Sequence, residues 1–310
     1  VKEALKFNPD IVGITAVTPT FGNAIMIAKA LKKANPDVTI AMGGPHITPT
    51  GALILQNHKC VDICVKHEGE YAFLELTQKK PLKDILGIFY RNDAGTVITN
   101  PDRPLLENLD ELPFPARHLI DLSKYHHVLY SSYGEPLTEM TTSRGCPYKC
   151  SFCASKITNG SRVRFRSVEN VIEEVDELIN NYGIKVIEFR DDTLTLNPPR
   201  FKRLCEELKK RDVDFIGNAK VNMVARFPEM AQQAKDAGCK LFLFGCESGD
   251  QKILDSFLKS QTVEDIKQAF KIVNHVGLDT LACFILGSPL ETRETARKTI
   301  DLSKEISPTF

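Results

Sequence analysis

Over residues 1–80, short apolar runs alternate with amphipathic stretches. Ile11-Val-Gly-Ile-Thr15 reads as a buried strand, and helical periodicity runs across 21–34 until Asn35-Pro36 stops it. Residues 38–42 predict a second strand ending in Gly43-Gly44, and 62–66 a third, followed by a helix over about 69–79. Strands and helices in this alternation predict a parallel sheet with helices on both faces, part of a doubly wound, Rossmann-like α/β domain. Residues 87–99 form two β-rich arms around Asn92, Asp93 and Gly95, the pattern of a hairpin. Residues 100–135 hold four prolines and read as an ordered linker, because Pro113-Phe-Pro115 continues neither a helix nor a central strand.

From residue 137 the alternation resumes. A strand over 137–142 leads to a helix over 168–181, capped by Ser167 and stopped by Gly183. Strand 186–189 precedes a helix opening at Asn197-Pro198, a cap followed by a first-turn proline. Strand 215–218, helix 228–237, strand 241–245, helices across 250–276, strand 281–286 and helix 291–305 complete the series. Five strand–helix units imply an incomplete (β/α) barrel, whose chemistry belongs at the carboxyl ends of its strands. The expected division is 1–85, a partial Rossmann-like domain; 86–135, hairpin and linker; and 136–310, the barrel. The chain starts at Val1 without Met and stops just after a predicted helix. It therefore reads as an internal fragment of a longer protein, its barrel truncated before a sixth strand.

The composition, 42% hydrophobic and 26% charged, is that of a folded domain pair. Lys plus Arg and Asp plus Glu both number 40, so no global field draws the chain to nucleic acid or an anionic membrane. No apolar run reaches the roughly 18 residues of a membrane span. Nine cysteines, an odd number with three clustered, point to a reducing cytoplasm rather than a disulfide scaffold.

Those three are Cys146, Cys150 and Cys153, in Ser143-Arg-Gly-Cys-Pro-Tyr-Lys-Cys-Ser-Phe-Cys153, directly after a predicted strand. Thiolates at this spacing can take three irons of a 4Fe–4S cube and leave the fourth iron open. Cys150-x-x-Cys153 alone also suits a thioredoxin-like redox pair or half a zinc site. A zinc site would want a matching second pair, and a redox pair has no use for Cys146.

The triplet, with Phe152 before its last cysteine and a (β/α) barrel around it, resembles the radical S-adenosylmethionine enzymes. That resemblance covers 137–310. It implies a 4Fe–4S cluster on the three cysteines, with S-adenosylmethionine chelated to the open iron and cleaved by one electron to a 5′-deoxyadenosyl radical. The reductant would be a ferredoxin or flavodoxin and the substrate a small molecule. Gly245-Cys-Glu-Ser-Gly249 resembles the family's Gly-x-Glu-Ser-Gly segment, which assigns Glu247 and the neighbouring Ser248 to S-adenosylmethionine, Glu247 at the ribose hydroxyls. Phe284-Ile-Leu-Gly-Ser-Pro-Leu-Glu291 resembles the segment that packs on adenine, so Ile285 and Gly287, with Phe152, join that set; Ser288 and Leu290 depart from its usual form. Asp191 and Asp192, at a strand end, are candidates to bind substrate or move a proton, or else to cap the next helix. Asn218 and Lys220 end a neighbouring strand, and Arg144, Arg164 and Arg166 are candidate carboxylate partners.

The front of the chain resembles the second half of the cobalamin-binding domain that precedes the barrel in one subgroup of these enzymes. The residues that carry this are 9–15, Gly43-Gly-Pro-His-Ile-Thr48 and Glu68-Gly-Glu70. Thr15, Gly43 and Gly44 would meet the corrinoid, and His46 reads as a loop histidine with a structural hydrogen bond. The Asp-x-His-x-x-Gly that supplies a lower axial histidine in some such domains does not occur here. The resemblance implies methyl transfer or oxidative cyclisation. A methylthiotransferase-like enzyme without cobalamin is the alternative, and an iron–sulfur electron carrier a further one.

Overall fold

The computed structural model describes residues 1–125 and 130–310; residues 126–129, within the expected linker, lie outside the described residues. The chain divides into two compact units, 1–107 with 154–160, and 108–153 with 161–310.

The first unit runs α1 (Lys2–Lys6), β1 (Ile11–Thr15), α2 (Phe21–Ala34), β2 (Thr39–Gly43), α3 (Ile47–Asn57), β3 (Ile63–Val65), α4 (Glu70–Thr77), β4 (Ile88–Arg91) and β5 (Val97–Thr99), with α5 (Ser155–Thr158) added from later in the chain. One sheet has the order β1-β2-β3-β4-β5, parallel through β3 and antiparallel beyond it. Side chains alternate between its faces. Ile40, Met42 and Cys64 pack with Ala28 and Leu31 of α2 and Ile47 and Leu55 of α3. Ala41, Ile63 and Val65 pack with Ala72 and Leu76 of α4. The helices thus cover both faces, as expected.

Two of the differences from the sequence reading bear on the sheet. The hairpin, placed in the connecting segment, extends the front sheet, with Phe89 of β4 opposite Cys64 of β3. Helix α3 fills a stretch to which the sequence reading assigns no element. Pro49 stands in the first helical turn, where its missing N–H has no intrahelical partner to lose. At Gly51 the helix lies so close to the sheet that a Cβ would stand 2.5 Å from the Phe89 ring and 3.0 Å from Cys64 Cβ.

The second unit contains β6 (Leu137–Met140), β7 (Ser143–Arg144), β8 (Arg164–Phe165), α6 (Val168–Tyr182), β9 (Val186–Phe189), α7 (Pro198–Leu208), β10 (Asp214–Ala219), α8 (Val221–Arg226), α9 (Glu229–Asp236), β11 (Cys239–Glu247), α10 (Gln251–Ser256), α11 (Val263–Val276), β12 (Asp279–Phe284) and α12 (Arg293–Ile306). Strands β6, β9, β10, β11 and β12 pair in parallel in chain order, and β7–β8 is a separate antiparallel ribbon. Ile187, Phe189, Phe215, Phe242 and Phe244 form the core with Val171, Val175, Phe201, Leu204 and Phe270 of the helices. Leu137, Val186, Ile216 and Leu241 occupy the alternate positions and pack with Tyr130.

Helix ends follow the sequence signals. The Ser167 hydroxyl accepts the Asn170 N–H and Gly183 closes α6 in the left-handed region, while the Asn197 side chain accepts the Arg200 N–H ahead of Pro198. Thr309 and Phe310 return beside β12, where Phe310 donates to Thr280 and accepts from Ala282 at 3.0 and 3.1 Å, the pairing a sixth parallel strand uses.

Glu174 of α6, 1% exposed, bridges the guanidinium groups of Arg117 and Arg166. Glu174→Ala leaves two cations without their shared anion, which predicts a loss of about 3–5 kcal/mol in urea unfolding. Breaking the exposed Lys185–Asp212 pair should leave the midpoint unmoved.

Candidate functional site

The cysteine loop departs from a fixed turn. Asp191, 1% exposed, accepts the Thr142 N–H, the Thr142 hydroxyl and the Ser143 hydroxyl, each at 2.6 Å. Arg200 of α7 donates to the Thr142 hydroxyl and carbonyl at 3.2 and 3.1 Å. Asp191, a substrate candidate in the sequence, is therefore sealed into the support of the loop, with its oxygens taken up by the chain. Burial pushes its carboxyl up, against the pull of these hydrogen bonds and of Arg200. Beyond the turn, Gly145 takes φ +94° and the ribbon β7–β8 narrows the base of the loop.

The far end of the loop is tied to α10. Ser151 N–H donates to the Phe257 carbonyl at 2.9 Å, and the Phe152 and Phe257 rings meet edge-on at 5.2 Å. Cys146 and Cys150 are half-buried and Cys153 exposed, and none of the three is in a disulfide. Burial pushes the Cys146 thiol up, and Asp192, Cys150 and Cys153 add to the shift. Several incipient anions thus share a small volume, which suits a bound cationic centre. Among the described residues, no three His, Cys, Asp or Glu side chains converge tightly enough for a single metal ion. A cluster takes one thiolate per iron, so its ligands need not converge on one point.

Facing this loop are Lys220, Glu247 and Lys259. Lys220, just past the end of β10, is 7% exposed, lies 3.8 Å from the Tyr148 ring centroid and donates to the Lys259 carbonyl at 2.9 Å. Burial draws its ammonium down to about 8; Lys259 adds to the fall, while Cys150, Cys146 and Glu247 oppose it. Glu247 sits beyond a bulge at the end of β11, at φ +65° and 6% exposed, and its Oε1 pairs with Lys259 Nζ at 2.7 Å.

Ser248, assigned with it, faces inward. It is fully buried, its hydroxyl 3.2 Å from Thr299 Oγ1 of α12 and accepting the N–H of Asp250, the residue whose side chain caps α10, at 3.1 Å. Gly249 is a glycine because a Cβ there would strike the Lys298 carbonyl of the same helix.

The remaining candidates divide. Ile285 is half-buried and its N–H donates to the Glu247 carbonyl at 2.9 Å, which brings the two strand ends together. Gly287 is exposed, and its φ of +88° accounts for the glycine, with open space where a Cβ would stand. Asp192 stays half-buried beside Cys146. Asn218 donates to the Asp191 carbonyl at 2.9 Å. Arg166 is engaged by Glu174, Asn170 and the Thr141 carbonyl, so it supports the fold rather than a ligand. Arg190 donates to Glu188 Oε1 at 2.6 Å; this pair, like Lys259, carried no sequence motif that could have singled it out.

In the first unit, Thr15 is exposed at the carboxyl end of β1, and Gly43 and Gly44 are half-buried at the end of β2. Gly44 has φ +100°, and a Cβ there would come 2.6 Å from Thr15 Oγ1. His46 makes the structural bond expected of it, 3.0 Å from Thr18 Oγ1, and its ring lies 4.4 Å from that of Phe21, tilted by 36°.

Residues 140–303, more than half of the chain, match the radical SAM superfamily. The chain belongs to that superfamily. Residues 1–77 match the B12 binding domain, so this radical SAM chain carries such a domain ahead of its barrel. It is 40% identical over 305 residues to an uncharacterized methyltransferase of Pyrococcus horikoshii, covering 97% of the chain and 65% of the relative. It is 30% identical over 309 residues to the anaerobic magnesium-protoporphyrin IX monomethyl ester cyclase of Rubrivivax gelatinosus, covering 97% and 55%. The radical SAM chain thus spans less than two thirds of either relative. The cobalamin-dependent S-adenosylmethionine radical enzyme OxsB shares its fold, with TM-score 0.81 and 23% identity over 97% of this chain and 44% of that one. So does the radical S-adenosylmethionine methyltransferase TsrM of Kitasatospora setae, with TM-score 0.77 and 19% identity over 97% and 60%.

The buried Lys220 gives a pH prediction. Its folded pKa, about 8, lies below the ordinary 10.5, so between these values the unfolded chain binds more protons and stability rises with pH. That contribution is lost as pH falls through about 8. Urea midpoints of the apo protein across this window should climb in wild type relative to Lys220→Met; parallel curves would show that Lys220 titrates normally.

Proposed function

We propose that this chain belongs to a cobalamin-dependent radical S-adenosylmethionine enzyme that methylates or oxidatively cyclises a small-molecule substrate. The observation that carries the reading is the placement of three cysteine thiols, on a loop braced at both ends, opposite Glu247 at the carboxyl end of a parallel strand. The names of the relatives, a methyltransferase and a cyclase, supply the two reaction types.

In this reading Cys146, Cys150 and Cys153 hold a 4Fe–4S cluster. Such a cluster, when bound, supplies one electron and an open iron for the amino acid end of S-adenosylmethionine. Glu247 faces the ribose hydroxyls, and Ile285 and Phe152 wall the adenine. Phe152 is exposed on the loop and Ile285 is joined to Glu247 through the backbone, so both can close on a planar base. Lys220, near the thiols, offsets charge that builds on them and keeps a cation in a region poor in water. Asp192 is the remaining substrate candidate. Thr15 and the Gly43-Gly44 turn take the nucleotide tail of the corrinoid, where an exposed hydroxyl and a side-chain-free backbone permit close approach. The odd number of cysteines, three of them clustered in one loop, supports a reducing, cytoplasmic setting. A ferredoxin or flavodoxin would deliver the electron.

Reconstitution with iron and sulfide, then dithionite and S-adenosylmethionine, should yield 5′-deoxyadenosine, and Cys146→Ala, Cys150→Ala and Cys153→Ala should each reduce the yield to background. Cleavage retained in these variants would overturn the assignment. Gly44→Ala forces a β-carbon into the left-handed region against Thr15, which predicts about 1–3 kcal/mol of destabilisation. It should also weaken hydroxocobalamin binding, read as the visible corrinoid spectrum retained after gel filtration, while iron content stays constant.

A further inference from the structure

We infer that Lys259 is a positioning residue: it sets the Glu247 carboxylate for a nucleoside ligand and ties the cysteine loop to it. This rests on the assignment of Glu247 to S-adenosylmethionine made above. Lys259 Nζ lies 2.7 Å from Glu247 Oε1, in a pair whose side chains are 14% and 8% exposed. The same ammonium stands 5.6 Å from the Phe152 ring centroid, so one cation touches both the strand end and the loop between Cys150 and Cys153. The ion pair engages Glu247 Oε1, and Oε2 is the oxygen this inference assigns to a ligand hydroxyl.

The backbone around Lys259 is held where its sequence would not take it. Leu258 and Ser260 flank it at φ +52° and +54°, both non-glycine residues in the left-handed region, and Glu247 opposite is at +65°. Three side chains pin the segment: Lys220 donates to the Lys259 carbonyl at 2.9 Å and Asn222 to the Ser260 carbonyl at 3.0 Å. Gln261 donates to the Gly245 and Cys246 carbonyls at 3.0 and 3.1 Å. Strain that the surroundings over-determine on both sides of one ion pair marks that pair as the object of the arrangement. Gly245 fits the same account. A Cβ there would stand 2.7 Å from Lys259 Nζ, so the first glycine of Gly245-Cys-Glu-Ser-Gly249 makes room for the pair.

The test is equilibrium binding of S-adenosylmethionine to the anaerobically reconstituted, unreduced protein, with iron content measured in parallel. Lys259→Met should weaken binding roughly tenfold or more with iron retained, as for loss of a charge-assisted hydrogen bond in a buried site. Lys259→Arg, which keeps a cation, should recover most of it. Glu247→Gln should weaken binding comparably, and the double variant Glu247→Gln/Lys259→Met should be little worse than either single one. Binding at wild-type strength in Lys259→Met while Glu247→Gln is weak overturns the inference, as do losses that add fully. Wild-type binding in Glu247→Gln instead overturns the assignment of Glu247, and the inference with it.

Discussion

Asp191 takes three hydrogen bonds of 2.6 Å from the two residues that join β6 to the cysteine loop, in a place water does not reach. A carboxylate so buried is stable only when its lone pairs are occupied, and each bond is stronger for the low dielectric around it. The direction in which the loop leaves the barrel is therefore set before any metal arrives. Arg200 supplies the compensating charge and grips the same turn from α7. At its other end the loop is held by Phe257, so three thiols stay presented rather than collapsing into the core.

Charges of both signs meet around that loop. Cys146, Cys150, Cys153, Asp192 and Glu247 supply or can supply negative charge, and Lys220 just past β10 and Lys259 between α10 and α11 meet it. Burial opposes charge on Cys146 and on Lys220 alike, so the group that fills this space decides which forms persist. The glycines of Gly245-Cys-Glu-Ser-Gly249 serve separate purposes in this arrangement. One clears the ion pair and the other lets α12 come down on the backbone.

In the first unit the analogous constraint is close approach of backbones. Gly51 lets α3 settle on Phe89 and Cys64, and Gly44 lets the end of β2 turn beside Thr15. Pairing of β4 with β3 then covers one edge of the parallel strands with an antiparallel hairpin, which leaves fewer unpaired backbone groups at that edge.

Much of this was legible in the chain itself. The period of the apolar residues, the Ser167 and Asn197 caps, and Gly183 specified most of the parallel strands and the longer helices other than α3 to within a residue or two, because these signals are local and act through the backbone next to them. The thiol triplet was legible for the same reason: its spacing is a property of one loop. What the residues could not reveal alone was which polar groups face inward. Asp191 and Ser248, candidates in the sequence, are buried against Thr142, Ser143 and Thr299, 48 to 51 residues away, which no local pattern shows. Nothing local marks Lys259 either, because its position depends on left-handed residues that are not glycine and on bonds from two other elements. Local pattern determined the elements and the metal-binding loop; long-range packing and burial decided which charges belong to the site.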